Sequence, residues 1–324
     1  MNGPRPASRP AAASAAIRAV LTGPPRPVRV LAVFPAATYL AHDDGVIALV
    51  AADGVRHPNA LVLTDAVAAA PFASYRVHQP GRVGDGEVVI GQHGTVPTRW
   101  FDPVPRLQPT TAERLGATAG AARAHLVLTT GAVPDGLAEG VSEVADALAD
   151  LDVVEAVAAA RGLVGLGPGM TPAGDDVLAG LLAAVLALSR ALDGTDTTSL
   201  ADATRTAGAS IADHARHATT TVSAALLDHA ARGEVAAPAA DLLHALAGRG
   251  SVTATLDRLL VVGATSGRDL AVGLLAGADL VMSVACWPTP LGGPPPATSI
   301  VAEPASPVRA GAAVSATTPD PLRA

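Results

Sequence analysis

The chain contains no lysine, so all 22 of its basic residues are arginine. That absence excludes a Schiff-base lysine and a Walker A phosphate loop, both of which need the ammonium group. Any anion bound here is left to arginine, backbone N–H groups, hydroxyls or a metal ion. Cysteine is nearly absent too, with Cys286 standing alone. A single thiol excludes an internal disulfide and a zinc site built on several cysteines. Its apolar surroundings read as a buried, inert group. Aromatic residues make up only 2% of the chain, so the core must be built from Ala, Val and Leu. Long apolar runs are missing as well. No segment reaches the roughly 18 uninterrupted apolar residues of a membrane span, because Asp175/Asp176, Arg268/Asp269 and Asp279 break the candidates. The N-terminus lacks the compact apolar stretch of a secretory signal. The expected location is the cytoplasm.

With 324 residues, 49% of them hydrophobic and 16% charged, the composition is that of a globular protein with ample core. The net charge of −7 argues against nucleic acid or an anionic membrane as a partner. Residues 1–27 are rich in Pro, Ala and Arg and read as a mobile arm. Short β-type runs follow over 28–34, 45–50, 61–64, 75–77 and 87–90, separated by turns such as Asp53-Gly54, Pro80-Gly81 and Asp85-Gly86. They predict a small antiparallel sheet or barrel over 28–108. Beyond Pro109 the apolar spacing turns helical, over 110–124, 137–149, 153–161, 199–217, 221–231, 238–247, 252–262 and 270–285. The expected fold class is α+β: a small N-terminal antiparallel β domain followed by a larger Ala-rich helical domain over 109–288. Residues 289–324, rich in Pro, Ala and Ser, read as a disordered tail.

The most informative stretch is Gly165-Leu166-Gly167-Pro168-Gly169-Met170-Thr171-Pro172-Ala173-Gly174-Asp175-Asp176, followed by an apolar run over 177–188. Alternating glycines let a backbone take left-handed angles and approach another group closely. Thr-Pro before an apolar run suits a helix start. An echo lies further on. Thr171, Gly174, Asp176 and Gly180 reappear as Thr265, Gly267, Asp269 and Gly273, one residue shorter in the turn. Gly180 and Gly273 fall inside helices, where glycine costs about 1 kcal/mol relative to alanine. Close approach of the two helices would compensate, and it would set the two Asp-bearing entrances side by side.

The chemistry of these entrances admits two readings. Helix N-termini and glycine-rich turns attract anions, but Asp175 and Asp176 would repel a bare one. They serve either as caps for the free N–H groups or as ligands of Mg²⁺, which would bridge to the anion. Arg268 could grip a carboxylate or phosphate or pair with an Asp. Between the two entrances lies a run of hydroxyls, Thr219, Thr220, Thr221 and Ser223, suited to capping a helix or meeting ligand oxygens. His214 and His217 share a helix face, yet the zinc-protease pattern is absent, and a solvated helix end accounts for them. His42 and the His57-Pro58 pair read as surface turns. Neither a Gly-x-Ser-x-Gly elbow nor a dinucleotide fingerprint is present.

The stretch 165–180 resembles the signature of a bacterial family, once described as a domain of unknown function, that includes the AllH-type subunit of oxamate carbamoyltransferase. The segments 220–233 and 262–273 are similar to it as well, and the resemblance extends over roughly 28–287. Met170 and Ala173 depart from it, where Leu and Ser are expected. The resemblance implies a subunit of a multi-subunit enzyme of allantoin breakdown that moves a carbamoyl group between oxamate or oxalurate and phosphate. Its implied partners are the other subunits and a small oxyanion; Mg²⁺, read from the acidic pair and not from the resemblance, is the one candidate cofactor. The catalytic residues are unassigned. The expected ligand site comprises Gly167, Gly169, Thr171, Gly174, Asp175, Asp176, Thr220, Thr221, Ser223, Thr265, Ser266, Gly267, Arg268 and Asp269, with Asp175 and Asp176 as metal candidates. A non-catalytic assembly or regulatory subunit, or a metal-dependent hydrolase, are the alternatives.

Overall fold

A computed structural model describes residues 7–43 and 45–286. Its N-terminal part is a closed barrel of eight strands: β1 (Ala7–Ser14), β2 (Arg26–Val33), β3 (Ala37–His42), β4 (Gly45–Val50), β5 (Ala60–Leu63), β6 (Pro80–Gly84), β7 (Glu87–Ile90) and β8 (His93–Phe101). Around the barrel they run β1-β5-β4-β3-β2-β6-β7-β8. The small antiparallel domain expected from the sequence is therefore corrected to a closed, mixed barrel. Hairpins make the β2–β3, β3–β4, β6–β7 and β7–β8 pairs antiparallel. The β4–β5 pair is parallel, and β1 closes the barrel parallel to β8, from Ala7 opposite His93 to Ser14 opposite Phe101.

Among the described residues, the N-terminal segment expected as a mobile arm supplies β1, the short helix α1 (Arg18–Thr22) and the start of β2. Alternate side chains of β1, Ala11 and Ala13, are buried in the barrel interior with Val30, Leu49, Phe72 and Ile90. Residues 75–77, expected as a strand, form an irregular turn. β4 is buried on both faces. Ile47 and Leu49 point into the barrel, while Val46, Ala48 and Val50 pack outward in a cluster that includes Val222, Met170 and Leu226 of the helical part.

The helices follow as α2 (Ala112–Thr130), α3 (Asp135–Ala149), α4 (Val153–Leu163), α5 (Ala173–Ser189), α6 (Thr198–Ala218), α7 (Thr221–Ala231), α8 (Ala237–Leu246), α9 (Val252–Leu260) and α10 (Ser266–Cys286). α5 is the axis of this part, buried from Gly174 to Leu188. Its broadest contact is with α10. A methyl group added at Gly180 would lie 2.3 Å from the Leu270 carbonyl oxygen and 2.7 Å from the Leu274 nitrogen. One added at Gly273 would lie 1.9 Å from the Val177 carbonyl oxygen and 2.8 Å from the Leu181 nitrogen. The contacts interchange, as across a local two-fold axis. The in-helix glycines thus serve the close approach that the echo implied, and backbone contact offsets their poor helix propensity. None of the described helices is long and apolar enough to cross a membrane. The Cys286 side chain and the expected tail over 289–324 lie outside the described residues.

Candidate functional site

The paired helices place their N-termini together. The Thr171 hydroxyl from the α5 entrance lies 2.8 Å from that of Ser266 at the α10 entrance. Each entrance is set against the helix before it through a glycine. A methyl group at Gly174 would lie 2.0 Å from the Leu163 carbonyl oxygen at the end of α4, and one at Gly267 would lie 1.9 Å from that of Leu259 in α9. Gly167 and Gly169 hold φ of +110° and +103°, in the left-handed region that glycine alone enters freely. They turn the chain from α4 back into α5.

Asp175 and Asp176 are neighbours in sequence with different surroundings. Asp175 is 1% exposed and saturated with donors. Its Oδ1 accepts the Gly165 N–H at 2.8 Å, while its Oδ2 accepts the Ser223 hydroxyl at 2.6 Å and the Thr219 hydroxyl. The Thr220 hydroxyl donates to the Met170 carbonyl and accepts the Ser223 N–H at 3.1 Å, capping α7. Of the two roles expected of the hydroxyl run, Thr220 takes the capping one, while Thr219 and Ser223 donate hydrogen bonds to a buried acid. Thr221 is exposed and joins none of these contacts.

Asp176 is 8% exposed, and its Oδ2 is buried without a hydrogen-bond partner. Burial pushes its carboxyl up to about 8, and nearby Asp269 and Asp175 add to the shift; the Ser266 and Thr171 hydroxyls oppose it. The acid is thus mostly protonated at neutral pH. On the α10 side, burial also raises Asp269, with Thr265 and Arg268 opposing. The Thr265 carbonyl accepts the Asp269 N–H at 3.0 Å, and Thr265 itself is exposed while Asp269 is buried. Arg268 is turned away from Asp176: its Nη2 reaches the Ala132 carbonyl at 3.5 Å, and its Nε stands 3.9 Å from Asp269.

Thr171, Asp176 and Ser266 line a cavity of about 340 Å³ between the barrel and the helices. Tyr39 and His57 line it from the barrel side and Glu234 from the loop after α7; Phe34, Met170, Leu226, Val235 and Leu270 supply much of its apolar wall. Burial lowers His57 to about 4, which keeps its imidazole neutral. His57 was expected in a surface turn; the residues around it are indeed a turn, and only the fold sets that turn over the helix entrances.

This donor set does not suit Mg²⁺. Asp175 would have to shed its three donors, and the cavity wall around Asp176 is mostly hydroxyl and apolar. Among the described residues, no group of three or more His, Cys, Asp or Glu side chains is arranged to hold a metal ion. No arginine among the described residues lines the cavity. Of the expected residues, Thr171, Asp176 and Ser266 come together at the cavity, Asp175, Thr220 and Ser223 form a brace beside it, and the glycines shape the backbone. Thr219 belongs to the brace as well.

Residues 163–278 match the family model of oxamate carbamoyltransferase subunit AllH. The resemblance read from the glycine loop and its echo is borne out over that region. The match runs from the end of α4 into α10, so both entrances lie within it, while the barrel lies outside. No curated protein and no solved structure matches the chain.

Proposed function

We propose that this chain is a subunit of a carbamoyltransferase-type assembly and that it holds the carbamoyl end of a small substrate at the paired entrances of α5 and α10. The similarity to the AllH subunit supports the assembly. One observation supports the site: a nine-tenths buried carboxyl, Asp176, with an unpartnered oxygen at a cavity and two hydroxyls beside it. A carbamoyl group carries a carbonyl acceptor next to N–H donors. A protonated carboxyl gives an O–H to the carbonyl, and the Thr171 and Ser266 hydroxyls take the N–H groups. Buried polar groups left unmatched are costly, so this pairing selects for a ligand that can satisfy them.

The contribution is to position the group in a water-poor cavity, with the chemical step completed by partner subunits. The purified chain, alone and with co-expressed partner subunits, should be assayed for carbamoyl phosphate formation from oxalurate and phosphate. The proposal expects activity only in the assembly, and an Asp176→Ala assembly of unchanged composition should lose about tenfold to a hundredfold in kcat/KM, the scale of one or two hydrogen bonds. Unchanged kcat/KM in that variant would overturn the proposed site.

A further inference from the structure

The cavity has a second polar wall, on the barrel side, that the carbamoyl site leaves unused. Strand β3 alternates: Leu40 packs inside the barrel, while Tyr39 packs outward among the residues that meet the helices. The Tyr39 ring stands edge-on to Phe34, with centres 6.2 Å apart and planes at 82°, and is tilted against His57 at 6.3 Å. Tyr39 is only 9% exposed, and both it and His57 line the cavity. Among the described residues, neither the Tyr39 hydroxyl nor the His57 imidazole has a hydrogen-bond partner. A buried hydroxyl is costly when unmatched, so its place at a cavity points to a ligand atom that completes it. Both groups are donors without charge. Burial raises the Tyr39 phenol, which keeps its proton, and the lowered basicity of His57 leaves a neutral ring with one N–H. Their counterpart is an acceptor oxygen, and hydrogen bonds to an ionised oxygen are roughly twice as strong as neutral ones. Apolar lining residues, among them Met170, Leu226 and Leu270, keep water from competing for those bonds. Glu234 shares the lining, but its carboxylate is bonded to His229 at 2.6 Å and to Arg232 at 3.2 Å, so its charge is met within its own loop.

We infer that Tyr39 and His57 read the acid end of the substrate: the phenol O–H and the imidazole N–H donate to the carboxylate of a short acid whose carbamoyl end is held by Asp176, Thr171 and Ser266. This rests on the carbamoyl site proposed above and adds the residues that select the acid. Selection then lies in the barrel, while the helix entrances hold the part common to every carbamoyl compound. The cavity of about 340 Å³, at the low end of the range for small-molecule sites, suits a compact two-ended ligand.

The test is calorimetric titration of the full chain at neutral pH with oxalurate and with its methyl ester, which keeps the carbamoyl end and removes the charge. The acid should bind at least about tenfold more tightly than the ester, the scale of one or two charge-assisted hydrogen bonds. Tyr39→Phe keeps the ring and removes only the hydroxyl. It should weaken the acid about tenfold and the ester less than about threefold, so that the preference collapses; the retained ester shows that the variant keeps its cavity. His57→Phe should lower the preference in the same way. Equal binding of acid and ester by the unaltered chain, or an unchanged preference in either variant, overturns the acid-reading wall. Where both readings hold, Asp176→Ala weakens acid and ester alike. Failure of the carbamoyl site looks different: Asp176→Ala would then leave both ligands as they were, while Tyr39→Phe still removed the preference. No binding of either ligand overturns both.

Discussion

The entrances of α5 and α10 share a backbone design and differ most at the side chain before the matching acids. Gly174 and Gly267 each sit against the carbonyl of the preceding helix, and Gly180 and Gly273 each sit against the facing helix. Asp176 and Asp269 occupy matching places, and burial raises both acids. The position before them differs: Asp175 on α5, Arg268 on α10. Asp175 gathers the Gly165 N–H and two hydroxyls, fixing the α4–α5 loop and the turn between α6 and α7. Arg268 makes one long contact to the Ala132 carbonyl and stands beside Asp269. Like backbones packed face to face thus produce an asymmetric site. Asp269 has an arginine at hand; Asp176 has two hydroxyls and a cavity.

The largest expected effect tests the shared design. Gly180→Ala and Gly273→Ala should each destabilise the fold by about 3 kcal/mol or more, because the added methyl must push two helix backbones apart. Helix propensity alone predicts a gain of about 1 kcal/mol for the same changes. Denaturant unfolding of the two variants decides between them, and unequal losses would break the reciprocity of the pair. A smaller loss is expected where the entrances diverge. Asp175→Asn leaves some of its three buried donors unmatched and should cost about 2 kcal/mol, read from the same unfolding curves. Smaller still is its counterpart, Arg268→Ala, with a loss under about 1 kcal/mol given a single long hydrogen bond. If Arg268→Ala costs as much as Asp175→Asn, the two entrances are braced alike and the asymmetry fails.

Much of the helical part was legible because its signals are local. The helices expected over 137–149, 153–161 and 221–231 correspond to α3, α4 and α7. The echo was legible as a spacing of Thr, Gly and Asp, and glycines inside helices pointed to the contact that they make. The barrel was legible only in part. β1 lies in a Pro- and Ala-rich segment of low strand propensity, and its parallel partner β8 is distant in sequence, so no turn announces the pairing. β6 begins at Pro80-Gly81, which locally reads as a turn, and β8 begins at His93, between Gly91 and Gly94. The cavity was the least legible feature. Tyr39 and His57 reach the helix entrances through long-range packing, and nothing in their own neighbourhood signals it. That Asp175 and Asp176 part company was illegible for a related reason: adjacent residues on a helix point in different directions, and each acid met a different set of neighbours.

The central claim is that the paired entrances keep Asp176 neutral and facing the cavity. Carboxyl carbon NMR titration of Asp176, assigned by its loss in Asp176→Asn, tests that claim most directly. The groups acting on it are Thr171 and Ser266, which favour its charge, and Asp175 and Asp269, which oppose it; Glu234 and His57 share its cavity. The account predicts a midpoint near 8. A midpoint near 4, the ordinary value for an aspartate, would show an ionised acid at neutral pH and contradict it.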